Sequence, residues 1–338
     1  MRSIAILVLM MAAAGTAAAG TAAAGTAAAG RPAPTGTPVT LPGASNALVP
    51  DAALPSVLRQ ASTYRLWPGR APGAKSDSPD ETPTLTWYPP PSGWSNGTAV
   101  IIAPGGSYLG LAAILEGAEP ALWFNTRKVT AFVLQYRVGR VARLPIPLFD
   151  GARAVRFVRA HAAEFHIDAN RIGMMGFSAG GHLTAMTAVR ATPGNPEARD
   201  PVERVSSRPD FIVLAYPWLE GTQLMADGHS QYCDFAISST QVPCNPKDYV
   251  RFAPSRYVTA KAPPTFMYLT SDDGLVPPQG ALRFYEELWQ RHVPVEMHIF
   301  EPGGHGSGLG GDDPELSQWP QLLQQWMRHR GLLPTSAQ

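Results

Sequence analysis

From Leu48 onward, short apolar runs alternate with longer stretches in which apolar residues recur at three- and four-residue steps. Thr98-Ala99-Val100-Ile101-Ile102-Ala103 is one compact run, ending in Pro104-Gly105-Gly106. Further strand-like runs fall at 129–136, 171–177, 211–216, 265–269 and 295–300. Their length, β-branched content and flanking Gly, Pro or charge predict strands. Between them, 109–126, 149–165, 179–190, 280–291 and 316–330 predict helices. The 149–165 stretch carries Ala152, Val155, Val158, Ala162 and Phe165 along one stripe, with Arg153, Arg156 and Arg159 expected outside it. Strands alternating with helices predict an α/β fold with a mainly parallel central sheet and helices on both faces. Such a sheet opens its site at the carboxyl ends of its strands.

The amino-terminal pattern differs. Arg2 precedes the apolar run Ile4 to Met11, and the unit Ala-Ala-Ala-Gly-Thr then repeats from Ala12 to Gly30. A basic start, a brief apolar core and small-residue sites predict a secretory signal peptide over 1–30, with several overlapping cleavage points. The strongly apolar run is shorter than the roughly 20 residues that cross a bilayer, so stable membrane insertion is not expected. Pro and Gly dominate to about Gly43, which predicts a flexible linker over 31–47 and a single folded domain over 48–338. A secreted or periplasmic location follows.

Composition narrows the picture further. A formal net charge of +1, with no block of Lys or Arg, argues against a nucleic-acid partner. Cys233 and Cys244 are the only cysteines. Their closeness in sequence and the export signal predict a disulfide. No Cys-x-x-Cys pair is present and no His pair accompanies the cysteines in a zinc-type arrangement, so no metal site is expected.

Candidate chemistry centres on Gly176-Phe177-Ser178-Ala179-Gly180, followed by Gly181. A strand-like run before it and a helix-like run after it match a turn that lifts a serine hydroxyl into solvent. A serine is a poor nucleophile until a base takes its proton. Of the downstream histidines, His305 alone sits in a glycine-rich loop directly after a strand, in Pro302-Gly303-Gly304-His305-Gly306. His298 falls within a strand, and His292 and His329 fall at helix ends. The carboxylate that orients the base belongs between serine and histidine in sequence. Asp272 and Asp273 both qualify; Asp273 fits the spacing before Val276-Pro277, and Asp272 has capping of the turn as its alternative. Donors for an oxyanion are expected from Ala179 and from Gly105 and Gly106, in a loop that ends an early strand.

Taken in order, these motifs resemble the acetyl-esterase branch of the α/β-hydrolases. The resemblance also rests on Gln135-Tyr136-Arg137-Val138, Arg208-Pro209-Asp210-Phe211 with Tyr216-Pro217, and Gly303-Gly304-His305-Gly306, and spans about 99–332. It implies a cofactor-free serine esterase with Ser178, His305 and Asp273 as the triad. The implied substrate is a short acyl, mainly acetyl, ester of a small molecule or of a cell-wall oligosaccharide such as xylan. Feruloyl esterase or peptidase activity on the same fold is the alternative, and an inactive binding protein is the alternative of another class. Tyr108 and Trp218 are expected at the substrate, although Trp218 serves equally well as a core residue. His182 reads as a packing residue and Glu116 as no more than a structural hydrogen-bond partner. The 220–250 stretch departs from the resemblance, as does Pro104-Gly105-Gly106-Ser107 where lipases carry His-Gly-Gly-Gly.

The cysteine pair is open to direct test. Unfolded but unreduced protein from an oxidising host is expected to show no titratable thiol. The closed loop then contributes about 3 kcal/mol in the chain-entropy description. Two titratable thiols would refute the bridge.

Overall fold

The computed structural model describes residues 62–139, 143–220 and 250–334. The expected signal peptide, the linker and the Cys233–Cys244 pair lie outside the described residues. Eight strands form one sheet: β1 (Ser62–Arg65), β2 (Thr84–Tyr88), β3 (Ala99–Ala103), β4 (Thr130–Gln135), β5 (Ile172–Phe177), β6 (Phe211–Ala215), β7 (Thr265–Thr270) and β8 (Val295–Phe300). Their order is β1-β2-β4-β3-β5-β6-β7-β8. Pairing is parallel from β4 through to β8, whereas β2 runs antiparallel to both its neighbours. The helices are α1 (Glu119–Asn125), α2 (Ile146–Ala160), α3 (Ser178–Val189), α4 (Gln279–Gln290) and α5 (Trp319–His329). Among the described residues no helix is long and apolar enough to cross a membrane.

The unbroken apolar runs of β3, β5, β6 and β7 are buried along their whole length, as strands covered on both faces must be. Alternate residues face opposite sides of the sheet. Ile101, Met174 and Leu214 join a core built with Val155 and Val158 of α2, Leu183 of α3 and Phe284 of α4. Val100, Met175 and Val213 join the other core, with Phe124 of α1 and Trp319, Leu323 and Trp326 of α5. Tyr268 of β7 stacks on Trp319 at 4.8 Å between ring centres.

Three expectations need correction. The 109–126 stretch is not one helix. Gly106, Ser107 and Tyr108 adopt positive φ, and the N–H groups of Leu109 and Gly110 turn back to the Gly106 carbonyl. Helical structure begins only at a π-helical turn, Ile114–Ala118, which leads into α1. Arg153 and Arg156 are not on a solvated face: they are 3% and 8% exposed. The segment after α3 folds over them. There, Arg153 meets Asp200 at 2.6 Å and Glu203 at 2.7 Å, and its Nε donates to the Leu66 carbonyl. Arg156 donates to Thr192 and Pro193. Finally, β1 and β2 were not anticipated, being only four and five residues long and rich in polar Thr.

Because β3 to β8 are parallel, their carboxyl ends lie along one edge of the sheet. Residues 104–108, 178, 216, 271–276 and 301–308 all follow such ends. The candidate chemistry converges there.

Candidate active site

At the end of β5 the chain turns into α3 through Ser178, which adopts φ +49°. The backbones around this turn touch. A Cβ on Gly176 would stand 2.1 Å from the Gly180 carbonyl oxygen, and one on Gly180 would stand 2.0 Å from that of Ala103. Only glycine fits either position, which accounts for the spacing of the motif. The serine is thereby held at the amino end of α3, beside the end of β3.

Ser178 Oγ lies 2.9 Å from His305 Nε2, and His305 Nδ1 lies 2.6 Å from Asp273 Oδ2. A carboxylate only accepts, so Nδ1 carries the proton and Nε2 is free to accept from the serine hydroxyl. The other Asp273 oxygen accepts from the N–H groups of Leu275 (2.9 Å) and Val276 (2.7 Å). Asp273 is buried; its neighbour Asp272 is exposed. Asp272 accepts instead from Gly304 at 2.8 Å and Gly303 at 3.2 Å, tethering the histidine loop. The Gly304 bond leads the effects that hold the Asp272 carboxyl below the usual carboxylate range. Asp273 thus meets the imidazole and Asp272 the loop that carries it.

The oxyanion candidates separate. The N–H of Gly105 already donates to Glu116 Oε2 at 2.6 Å, so it is spent and is not a free donor. Gly105 serves by its size, since a Cβ there would stand 2.9 Å from Ser178 Cβ. Gly106 has no hydrogen-bond acceptor for its N–H among the described residues. Ala179 lies in the first turn of α3, where N–H groups have no acceptor within the helix.

Tyr108 and Trp218, both expected at the substrate, are buried side chains beside the site. Tyr108 is only 2% exposed; its ring packs edge-on against Tyr136 and its hydroxyl bonds His182 Nδ1 at 2.7 Å. Trp218 is 5% exposed within the core that holds Leu183, and its backbone N–H donates to the Ser178 carbonyl at 3.0 Å. Both support the site from below.

A family profile matches residues 87–288, more than half of the chain. The chain belongs to the BD-FAE family. Its fold is that of the α/β-hydrolases, in the acetylxylan-esterase-like branch. The BD-FAE chain is 36% identical to an acetyl ester-xyloside bifunctional hydrolase from Caldicellulosiruptor lactoaceticus of known structure. That match has a TM-score of 0.73 and covers 81% of this chain and 97% of the other. An acetylxylan esterase of Xylanibacter ruminicola is 28% identical over 69% of this chain and 46% of its own length. Endo-1,4-beta-xylanase B of Butyrivibrio fibrisolvens is 32% identical over 68% of this chain and 36% of its own. The BD-FAE chain therefore spans about a third to a half of the length of these curated relatives.

Glu116, read from the sequence as no more than a structural hydrogen-bond partner, is buried at the BD-FAE site. Glu116 bonds Gly105 through one oxygen and the Tyr216 hydroxyl, at 2.8 Å, through the other. Burial raises its pKa, against the opposing effects of the Tyr216 and Gly105 bonds and of nearby His305. Burial, followed by the Glu116 charge, also pushes the Tyr216 hydroxyl well above its ordinary value, so it stays a donor. The available signal was a lone carboxylate inside the apolar stretch Leu111 to Ala118.

His182 is fully buried. Its Nε2 donates to the Phe252 carbonyl at 2.7 Å, which leaves Nδ1 to accept from Tyr108. Burial pushes its pKa down to about 4. The unfolded chain binds this proton near pH 6.5 and the folded chain only near 4, so stability is full above 6.5 and declines as pH falls through that window. The decline amounts to about 3 kcal/mol. Urea unfolding of wild type is expected to lose stability more steeply between those pH values than His182→Gln does; equal slopes would contradict the assignment.

Proposed function

We propose that this chain is a secreted serine esterase that removes short acyl groups, chiefly acetyl, from plant cell-wall carbohydrate such as xylan. The observation that carries the chemistry is the unbroken Ser178–His305–Asp273 chain of hydrogen bonds, at 2.9 and 2.6 Å. Ser178 Oγ attacks the ester carbonyl carbon while its proton passes to His305 Nε2. Asp273 holds the imidazole in the accepting tautomer and balances its charge once protonated. The carbonyl oxygen, now anionic, receives the N–H groups of Gly106 and Ala179; loss of one such donor costs about 10²–10³ in kcat. The tetrahedral intermediate expels the sugar alkoxide, which takes the proton back from His305. Water, giving its proton to His305, then attacks the acyl carbonyl; the bond to Ser178 Oγ breaks, His305 returns the proton to Oγ, and the acid is released.

The substrate class draws its support from the relatives. One is an acetylxylan esterase, one an acetyl ester-xyloside hydrolase, and one a xylanase. The basic and apolar start of the chain supports export, which brings the enzyme to a polymer outside the cell.

The test compares kcat/KM on acetylated xylo-oligosaccharides, methyl ferulate and a long-chain aryl ester, with Ser178→Ala as the blank. Acetylated oligosaccharide is expected to be fastest and the long-chain ester slowest, each added methylene shifting the balance by about 1–3 kcal/mol at most. Ser178→Ala is expected to lose activity by about 10⁴-fold or more while keeping its fold. Preference for the ferulate would select feruloyl esterase, and an active alanine variant would remove Ser178 from the mechanism.

A further inference from the structure

The loop after β3 and the loop after β8 carry different parts of the site, and no backbone bond joins them among the described residues. A buried carboxylate spans the gap. Glu116, 5% exposed, accepts from the Gly105 N–H at 2.6 Å through Oε2 and from the Tyr216 hydroxyl at 2.8 Å through Oε1. The same hydroxyl accepts from the Gly308 N–H at 2.9 Å. Gly105 immediately precedes the oxyanion donor Gly106, and Gly308 lies three residues beyond His305. The Tyr216 ring also stands edge-on to the His305 ring, 5.1 Å between centres.

The backbone is arranged around this link. Glu116 sits in the π-helical turn Ile114–Ala118, a form that appears chiefly where a helix is distorted for a site. Leu115 reaches the same partner loop, since a Cβ on Gly308 would stand 2.8 Å from its side chain. Tyr216 holds φ +35°, a conformation that a bulky residue keeps only when its surroundings over-determine it. A buried carboxylate is costly unless its oxygens are satisfied, and here each oxygen has a donor from a different part of the site.

We infer that Glu116 is a positioning residue: through Gly105 on one side and Tyr216–Gly308 on the other, it sets the oxyanion donor Gly106 and the catalytic base at a fixed distance from each other. The inference rests on the esterase reading above. A glutamine in its place keeps the shape but offers one acceptor and one donor, so it cannot receive both the Gly105 N–H and the Tyr216 O–H. Phenylalanine at 216 keeps the ring and removes the link to Gly308.

The test uses the full chain with an aryl acetate, comparing Glu116→Gln, Tyr216→Phe and the double variant at equal folded content by circular dichroism. Glu116→Gln is expected to lower kcat by about 100-fold, the loss that a misplacement on the order of 1 Å produces. KM should move by less than roughly threefold, because the effect falls on the transition state and not on binding. The double variant should lose no more than Glu116→Gln alone, since both act along one path. Hydrogen exchange should quicken at 304–310 in both single variants and at 105–111 in Glu116→Gln. A kcat within roughly threefold of wild type in Glu116→Gln, or losses that multiply in the double variant, would overturn the inference. Should Glu116→Gln fail to fold, Tyr216→Phe decides by the same kcat criterion. Turnover surviving in Ser178→Ala would sink the esterase reading instead; the exchange data then decide alone, and unchanged exchange at 304–310 overturns the link.

Discussion

The first turn of α3 lies directly against the end of β3, with Gly180 facing the Ala103 carbonyl across a gap that admits no side chain. From that contact the rest of the site takes its dimensions. The turn at Ser178 is set because α3 cannot retreat without opening a void in a core packed as densely as an organic crystal. The β3 loop is set because Gly105 rests on Phe177 and Ser178 in turn, each within 2.9 Å of where its Cβ would be. Glycine in a folded chain costs conformational entropy. Here that cost purchases a backbone approach that no other residue permits.

Around this contact, polar groups are buried in numbers that an apolar core would not tolerate unpaired. Tyr136 donates to the Pro104 carbonyl at 2.7 Å, pinning the loop from beneath. Tyr108, His182 and Phe252 form a second prop, and Arg137 with Asp150 a third, at 2.6 Å and fully enclosed. Desolvation opposes every one of these groups. Their geometry offsets it by giving each donor an acceptor and each charge a counterpart. What results is rigidity in a set of loops, the part of a protein that is otherwise the most mobile.

The strands β3, β5, β6 and β7 were legible as apolar runs buried along their length, whereas β8 carries Glu296 and His298 and is only half-buried; Ser178, Asp273 and His305 were legible because each follows a strand end. Periodicity failed where tertiary contacts supplied what local pattern could not show. Arg153 and Arg156 read only as residues outside the apolar stripe, and their burial was hidden because their carboxylate partners, Asp200 and Glu203, arrive from beyond α3. The 109–126 stretch read as helix because its composition allows one, while the positive φ of Gly106, Ser107 and Tyr108 comes from the turn they share. Gly105 read as an oxyanion donor by position alone. The hydrogen bond that disqualifies it comes from Glu116, whose partners are visible only in three dimensions. Trp218 read equally well as a core residue or a pocket residue, and the structure packs it beside Leu183; Tyr108 packs against Tyr136 and His182.

Asp272 and Asp273 show how closely two tasks can be set in a chain. One peptide unit separates the carboxylate that orients the imidazole from the one that fastens its loop, and two further N–H groups of the same turn grip the first. Inserting or deleting a single residue there would exchange the two positions and leave neither carboxylate opposite its partner. The turn after β7 and the loop after β8 are therefore not separate variables in the history of this chain. A lineage that altered the length of one would have to alter the other in the same step.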